Sequence, residues 1–109
     1  MKLVNLSKNT VLAEDLKEAK SLIDQLLGLL KKSNPRSLYF HTRCGIHTFG
    51  LKEKIDILVL DDSLKVVKIK TVKPNKLFFW PVKYSKVVEL PLGVIKKSQT
   101  EIGDKLQLG

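Results

Sequence analysis

Alternation of apolar and polar residues between positions 54 and 72 predicts a β-hairpin. Residues 55–60 are rich in β-branched side chains, residues 61–63 have turn chemistry, and residues 65–70 resume the alternation. A strand that has one face in the core and the other in water shows this pattern. The core face is therefore expected to carry Val67, Ile69 and Thr71, and the solvent face Lys68 and Lys70.

Shorter apolar segments predict further strands at residues 3–6, 37–40, 86–90 and 105–108, and a helical turn at residues 93–97. Residues 77–81, which include three consecutive aromatic residues, are expected to have irregular backbone structure. Gly103-Asp104 is expected to form a tight turn, because Gly reaches positive φ and an Asp side chain bonds nearby backbone.

One segment predicts a longer helix. Its apolar residues at positions 22, 23, 26, 27, 29 and 30 follow helical spacing, and Ser21 precedes them as an N-cap. Asn34-Pro35 ends this helix. Residues 11–19 contain Ala, Glu, Leu and Lys, which also favour helix.

Together these elements predict an α+β fold, a small β-rich domain with a mixed, mostly antiparallel sheet or a partly closed barrel and one main helix. The length of 109 residues suits a single domain, 1–109. No apolar run approaches the ~18 residues of a membrane-spanning helix. The first residues lack the apolar stretch of about 7–15 residues that marks an export signal, so we expect a cytoplasmic location.

The charge balance favours anionic partners. Lys and Arg number 20 against 11 Asp and Glu, which gives a net charge of +9. Because 18 of these cations are Lys, which lacks the bidentate fork of Arg, the excess attracts polyanions without specifying a sequence.

Cys44 is the single cysteine, so no intramolecular disulfide and no site of several thiolates can form. With His47 and Asp56 it would supply a nucleophile, a base and an orienting acid for a hydrolase. His41, Cys44 and His47 are spaced three apart, and with a carboxylate they would make a metal site. The alternative is a buried Cys beside hydrogen-bonded histidines. We expect no cofactor and no resident metal.

Two carboxylates lie within apolar strands. Asp56 follows Ile55, and it would either face His47 and fix its tautomer or bond backbone and solvent. Glu89, between Val88 and Leu90, leaves the same two alternatives open.

The aromatic run 78–80 lies among lysines. Phe79 and Trp80 could stack on bases while lysines contact phosphates, which is how single strands are bound without sequence readout. The candidate lysines are Lys73, Lys76 and Lys83. The alternative is that two of the three aromatic side chains close the core.

Three blocks carry a family resemblance. They are residues 44–62, which include Ile-His-Thr-Phe-Gly at 46–50, Leu-Pro-Leu-Gly at 90–93, and Gly-Asp-Lys-Leu at 103–106. The chain resembles the uncharacterised bacterial and archaeal domain-of-unknown-function family 192 over almost its whole length. The resemblance implies a small β-rich domain with one or two helices, a strand within residues 11–19, and no established activity. Leu51, Glu53-Lys54 and Leu64 depart from the family pattern.

The biochemical activity is not evident from the sequence. Our leading hypothesis is a non-enzymatic domain that binds a small molecule or protein partner at the 44–50 surface through Cys44, His47, Thr48 and Asp56. The first alternative is sequence-tolerant binding of RNA or single-stranded DNA, and the second is a Cys/His hydrolase or metal site. We expect no membrane partner, and the oligomeric state stays open.

Overall fold

The computed structural model describes residues 1–19, 37–43, 45–48 and 53–109. Within these residues the chain forms ten short strands and one helix. The strands are β1 (Leu3–Asn5), β2 (Thr10–Ala13), β3 (Lys17–Ala19), β4 (Leu38–His41), β5 (Gly45–His47), β6 (Ile55–Leu60), β7 (Val66–Val72), β8 (Leu77–Phe79), β9 (Lys86–Pro91) and β10 (Leu106–Leu108), and the helix is α1 (Val94–Ser98).

A five-stranded sheet in the order β3-β4-β9-β6-β7 forms the centre of the fold. β3 pairs with β4 in parallel and the other neighbours are antiparallel. Residues 57–60 of β6 are buried on both faces, which accounts for their uninterrupted apolar sequence. The prediction of a mixed, mostly antiparallel sheet is therefore confirmed. Among the described strands no sheet closes into a barrel.

A second sheet has the order β10-β1-β2, and β5 and β8 form a two-stranded antiparallel ribbon. The second sheet joins both ends of the chain. The amide of Lys2 donates to the carbonyl of Gly109 at 2.8 Å, and the reciprocal bond is 2.9 Å.

Two apolar clusters lie on opposite faces of the central sheet, because alternate residues of each strand point to opposite sides. On one face Leu58 and Leu90 pack with the second sheet and α1. On the other face Ile57 and Val87 pack with Phe78 of the ribbon. The ribbon and α1 are therefore separated by the central sheet.

The hairpin prediction is confirmed, since β6 and β7 pair over most of their length. The predicted alternation fails at Val67, because a register shift pairs Val59 with Lys68 and Leu60 with Val66, leaving Val67 as an extra residue. Ile69 and Val67 consequently pack against different clusters.

Other predictions had mixed outcomes. Residues 11–19 include strand residues of β2 and β3, and the predicted turn at Gly103 is confirmed by its φ of 97°. The prediction that residues 77–81 are irregular is wrong for β8, because Leu77–Phe79 pairs with β5. The predicted helix at 21–30 lies outside the described residues. Within those residues, no helix is long and apolar enough to cross a bilayer.

Candidate functional site

The exposed side of the β5-β8 ribbon brings together residues of both leading sequence hypotheses. Gly45 lies opposite Phe79, and His47 lies opposite Leu77. Ile46 and Phe78 face the central sheet, so these four residues face outward. We call the set Gly45, His47, Leu77 and Phe79 the ribbon face.

The ribbon face is apolar at its centre. Phe79 is 61% exposed and Leu77 57% exposed, and nearby Val82 is 58% exposed. Three exposed large apolar side chains within six residues are unusual, because large apolar side chains are normally buried and a cluster of exposed ones often marks a binding surface. The signal in the sequence is the alternation of Leu77 and Phe79 around the buried Phe78.

Gly45 makes room for the aromatic ring. A Cβ atom built on Gly45 would lie 2.6 Å from the carbonyl oxygen of Phe78 and 2.7 Å from Cδ1 of Phe79. The ring of Phe79 therefore leans across β5 and rests on backbone. Its remaining surface is open to solvent, which gives an aromatic platform held in place by the strand pairing.

Thr48 fixes the turn at the His47 end of the ribbon. Its side chain is fully buried, and its hydroxyl donates to the carbonyl of Lys73 at 2.6 Å and accepts from the amide of Lys76 at 2.9 Å. The amide of Asn75 donates to the Thr48 carbonyl. Thr48 is thus a structural residue that places two lysine-bearing positions beside the ribbon face.

Cationic side chains also lie along the ribbon and at its other end. The Lys68 ammonium donates to the Phe79 carbonyl at 3.3 Å and lies 5.4 Å from the centroid of the Phe78 ring. The Arg43 guanidinium donates to the Val82 carbonyl at 2.8 Å. Lys83 is exposed next to Val82. The platform is therefore flanked by positive charge.

The chain segments that contain the two ribbon strands carry no acidic side chain of their own, although Asp62 forms an ion pair with Lys86 at 3.3 Å and Glu89 lies on the ribbon side of the central sheet. Residues 37–48 and residues 63–88 contain no Asp and no Glu, and the second segment contains seven Lys. Net positive charge on this part of the protein follows directly from its sequence. This absence of carboxylates over a long stretch is the signal that sequence reasoning missed.

Trp80 does not belong to this surface. It is 5% exposed, packs against Phe78 with ring centroids 5.5 Å apart, and donates its indole N–H to the Tyr84 carbonyl at 2.9 Å. The stacking role considered for Trp80 is corrected accordingly. The interpretation that two of the three aromatics close the core applies to Phe78 and Trp80.

Asp56 also lies elsewhere. It is 3% exposed, and its carboxylate accepts hydrogen bonds from the Thr71 hydroxyl at 2.8 Å, the Gly93 amide at 3.0 Å and the Ile95 amide at 3.3 Å. These partners lie on the α1 side of the central sheet. The expected grouping of Asp56 with His47 is therefore not what the structure shows, and Asp56 instead accepts from backbone amides at the start of α1, whose N-cap residue Gly93 has no side chain to do so.

An open cleft of about 700 Å³ lies on that same side, lined in part by Asp56, Leu92, Ile95 and Thr100. Its buried polar groups are already engaged in holding the fold. Asp56 caps α1, and the Thr100 hydroxyl accepts a hydrogen bond from the side-chain NH₂ of buried Asn5 at 3.0 Å. The cleft is accordingly a weaker candidate than the ribbon face.

A charged network next to the cleft ties the two ends of the chain together. Asn5 and Lys8 both donate to the Asp104 carboxylate, at 2.9 and 2.8 Å. Burial by itself would raise the pKa of Asp104, but these hydrogen bonds and that from the Glu101 amide outweigh it, so the pKa lies below its ordinary value. The same ion pair raises the pKa of Lys8.

Glu89 lies on the ribbon side of the central sheet, between Leu38 and Ile57 of the neighbouring strands. Burial raises the pKa of its carboxyl to about 7.

Cys44 lies outside the described residues, so its part in a hydrolase or metal site stays a prediction. His41 accepts or donates a 3.3 Å hydrogen bond with the Tyr39 hydroxyl. In the described part of the chain, no three His, Cys, Asp or Glu side chains cluster as a metal site would require.

Comparison of sequences identifies relatives that match nearly end to end. A UPF0127 protein of Pyrococcus horikoshii is 32% identical over 111 residues, covering 96% of each chain. A UPF0127 protein of Thermococcus sibiricus is 33% identical and covers 95% of this chain and 72% of the relative. One of Pyrococcus abyssi is 30% identical, with 96% and 95% covered. No family model matches the chain.

Solved structures share the fold at low sequence identity. A protein of unknown function from Novosphingobium aromaticivorans superposes with a TM-score of 0.79 at 14% identity, covering 98% of this chain and 82% of that one. A Sinorhizobium meliloti protein proposed as a transcription regulator gives a TM-score of 0.80 at 16% identity, with 97% and 89% covered. These similarities establish the β-rich architecture and do not extend to function.

Proposed function

The chain belongs to the UPF0127 family, and we propose that it is a non-enzymatic binding domain that takes an anionic ligand on its ribbon face. The observation that carries this proposal is the exposed Phe79 ring, held against Gly45 and flanked by cationic side chains. A core does not need an exposed aromatic side chain, whereas binding sites commonly use one.

The geometry amends the leading sequence hypothesis. His47 stays in the proposed site as the polar residue of the ribbon face, and Thr48 supports the site from beneath by fixing the 73–76 turn. Asp56 is assigned to the fold. The lysines of the nucleic-acid hypothesis, Lys73, Lys76 and Lys83, join the same surface.

The ligand is anionic by charge complementarity. Exposed lysines raise the local potential and the encounter rate with anions. Residues 63–88 contribute seven Lys and no carboxylate, and one of these lysines, Lys86, pairs with Asp62 at 3.3 Å. The ligand must also present a surface that can cover Leu77 and Phe79.

A charge-reversal pair tests the proposal with inorganic polyphosphate as the probe. Lys73→Glu with Lys76→Glu changes the turn beside the ribbon face, and Lys96→Glu with Lys97→Glu makes the same change of net charge on α1, across the central sheet. We expect the first pair to weaken binding and lower the salt slope by about one per lysine. The α1 pair should change affinity little. An equal loss of affinity in both double variants would indicate that binding depends on net charge alone, and it would contradict a defined site.

Three broader assignments are also proposals. The motif blocks support identifying the family with domain-of-unknown-function family 192. The pairing of β1 with β10 supports a single domain over residues 1–109, which should unfold in one cooperative transition. The expected cytoplasmic location would be checked by cell fractionation.

A further inference from the structure

We infer that the anionic ligand of the ribbon face is single-stranded nucleic acid, with an unpaired base stacked on Phe79 and lysines contacting phosphates. This inference rests on the proposed function and names the ligand class. It requires three properties of the surface: an accessible aromatic platform, cations on both sides of it, and few groups that read base edges.

The platform is available without rearrangement. Phe79 is 61% exposed, and the Cδ1 and Cε1 side of its ring rests over Gly45. Because β8 pairs with β5 on one side of the ring, the ring is held while its outer surface faces solvent. Every base has a π-face, so such a platform accepts any unpaired base.

The cations lie where a strand crossing the platform would pass. The 73–76 turn, fixed by Thr48, places Lys73 and Lys76 at the His47 end. Arg43, tied to the Val82 carbonyl, lies at the Phe79 end. Lys68 lies alongside, with its ammonium on the Phe79 carbonyl. A phosphodiester backbone could therefore be contacted on both sides of the stacked base.

The surface suits a single strand better than a duplex. A duplex keeps its base faces within the stack and offers phosphates and base edges. On the ribbon face only His47 has a polar side chain, and the two large groups, Leu77 and Phe79, are apolar. Such a face offers few hydrogen-bonding groups for base edges, and its apolar side chains can cover the face of an exposed base.

It also suits a single strand better than an anionic membrane. The Phe79 ring leans across β5 instead of projecting away from the protein, which gives it little depth for insertion. Membrane-surface binding uses a continuous apolar face buried about 5–10 Å into the lipid boundary.

The test is fluorescence anisotropy with a labelled oligodeoxythymidine of about 16 nucleotides, a length at the upper end of single-strand site sizes. Phe79→Leu keeps apolar bulk but removes the π-face, and Phe79→Trp retains it. Leu92→Ala is the matched control, since Leu92 is an exposed apolar residue on the cleft side. We expect Phe79→Leu to weaken binding about 5- to 150-fold, the range of one base-stacking contact. Leu92→Ala should bind like wild type, and Phe79→Trp should bind more tightly than Phe79→Leu because it keeps a π-face.

An abasic strand of the same length separates stacking from charge. If the inference holds, wild type binds it more weakly than oligodeoxythymidine, and wild type and Phe79→Leu bind it equally. If wild type binds abasic strand, oligodeoxythymidine and polyphosphate equally, the inference is wrong and the proposed function stands. If no polyanion binds at low salt, both are wrong. Tighter binding of a duplex, or of anionic vesicles, through Phe79 would overturn the inference in favour of that ligand.

Discussion

Replacing Asp56 should destabilise the fold without changing the ribbon face. The carboxylate is buried and accepts three hydrogen bonds, from Thr71, Gly93 and Ile95. Hydrogen bonds to charged groups are worth about 1.5–3 kcal/mol each, and such values are not additive. In Asp56→Ala, water from the adjoining cleft can bond to the Gly93 and Ile95 amides, which replaces part of the lost stabilisation. We therefore expect Asp56→Ala to lower the free energy of unfolding by about 3 kcal/mol.

Two further variants divide this loss. Asp56→Asn can turn its oxygen to the Gly93 and Ile95 amides and its NH₂ to the Thr71 hydroxyl, which also accepts, so we expect it to cost only about 1 kcal/mol. Thr71→Val removes one donor and should also cost about 1 kcal/mol. Because Thr71 and Asp56 share a bond, the double variant Asp56→Ala with Thr71→Val should cost less than the two single changes together.

Urea unfolding of the four variants, followed by tryptophan fluorescence of Trp80, measures these differences. Polyphosphate affinity of each folded variant is measured in parallel. A loss below about 1 kcal/mol for Asp56→Ala would contradict the capping role. Preserved stability with lost affinity would return Asp56 to the binding site beside His47, as the sequence first suggested.

Three further predictions concern buried polar groups. Thr48→Val should cost about 2 kcal/mol in thermal unfolding, because it leaves the Lys76 amide and Lys73 carbonyl without their partner, and it should weaken polyphosphate binding. Glu89 has a folded-state pKa of about 7, compared with an ordinary value of 4.5, so the free energy of unfolding should fall as pH rises between these two values. Glu89→Gln should abolish this fall, and a variant with the same pH profile as wild type would refute the prediction. The lowered pKa of Asp104 predicts stability that is present above its ordinary pKa of 3.8 and lost as pH falls further; acid unfolding of Asp104→Asn should lack that component.

Elements with clear periodicity were predictable. The β6-β7 hairpin follows from alternation and turn chemistry, and β9 and β10 follow from short apolar runs. The bulge at Val67 was not predictable, since register depends on the pairing of the whole hairpin. β8 was missed because a three-residue strand has too little alternation to distinguish it from a loop, and its partner β5 is equally short.

The candidate site was only partly predictable. His47 and Phe79 were each recognised, but their meeting on one ribbon depends on long-range pairing that local sequence does not specify. Asp56 and Trp80 were assigned to binding by residue type, and both are buried with hydrogen-bond partners from other segments. A polar group in an apolar strand signals a buried partner as readily as a ligand, and only the structure shows which.

The most direct test of the account maps the ligand onto the backbone. Amide chemical shifts of the uniformly labelled protein would be followed while the same oligodeoxythymidine is added. We expect the largest changes at Gly45, His47 and residues 73–83, with little change at residues 92–101 around α1. Changes concentrated at residues 92–101 would place binding in the cleft and contradict the assignment of the ribbon face.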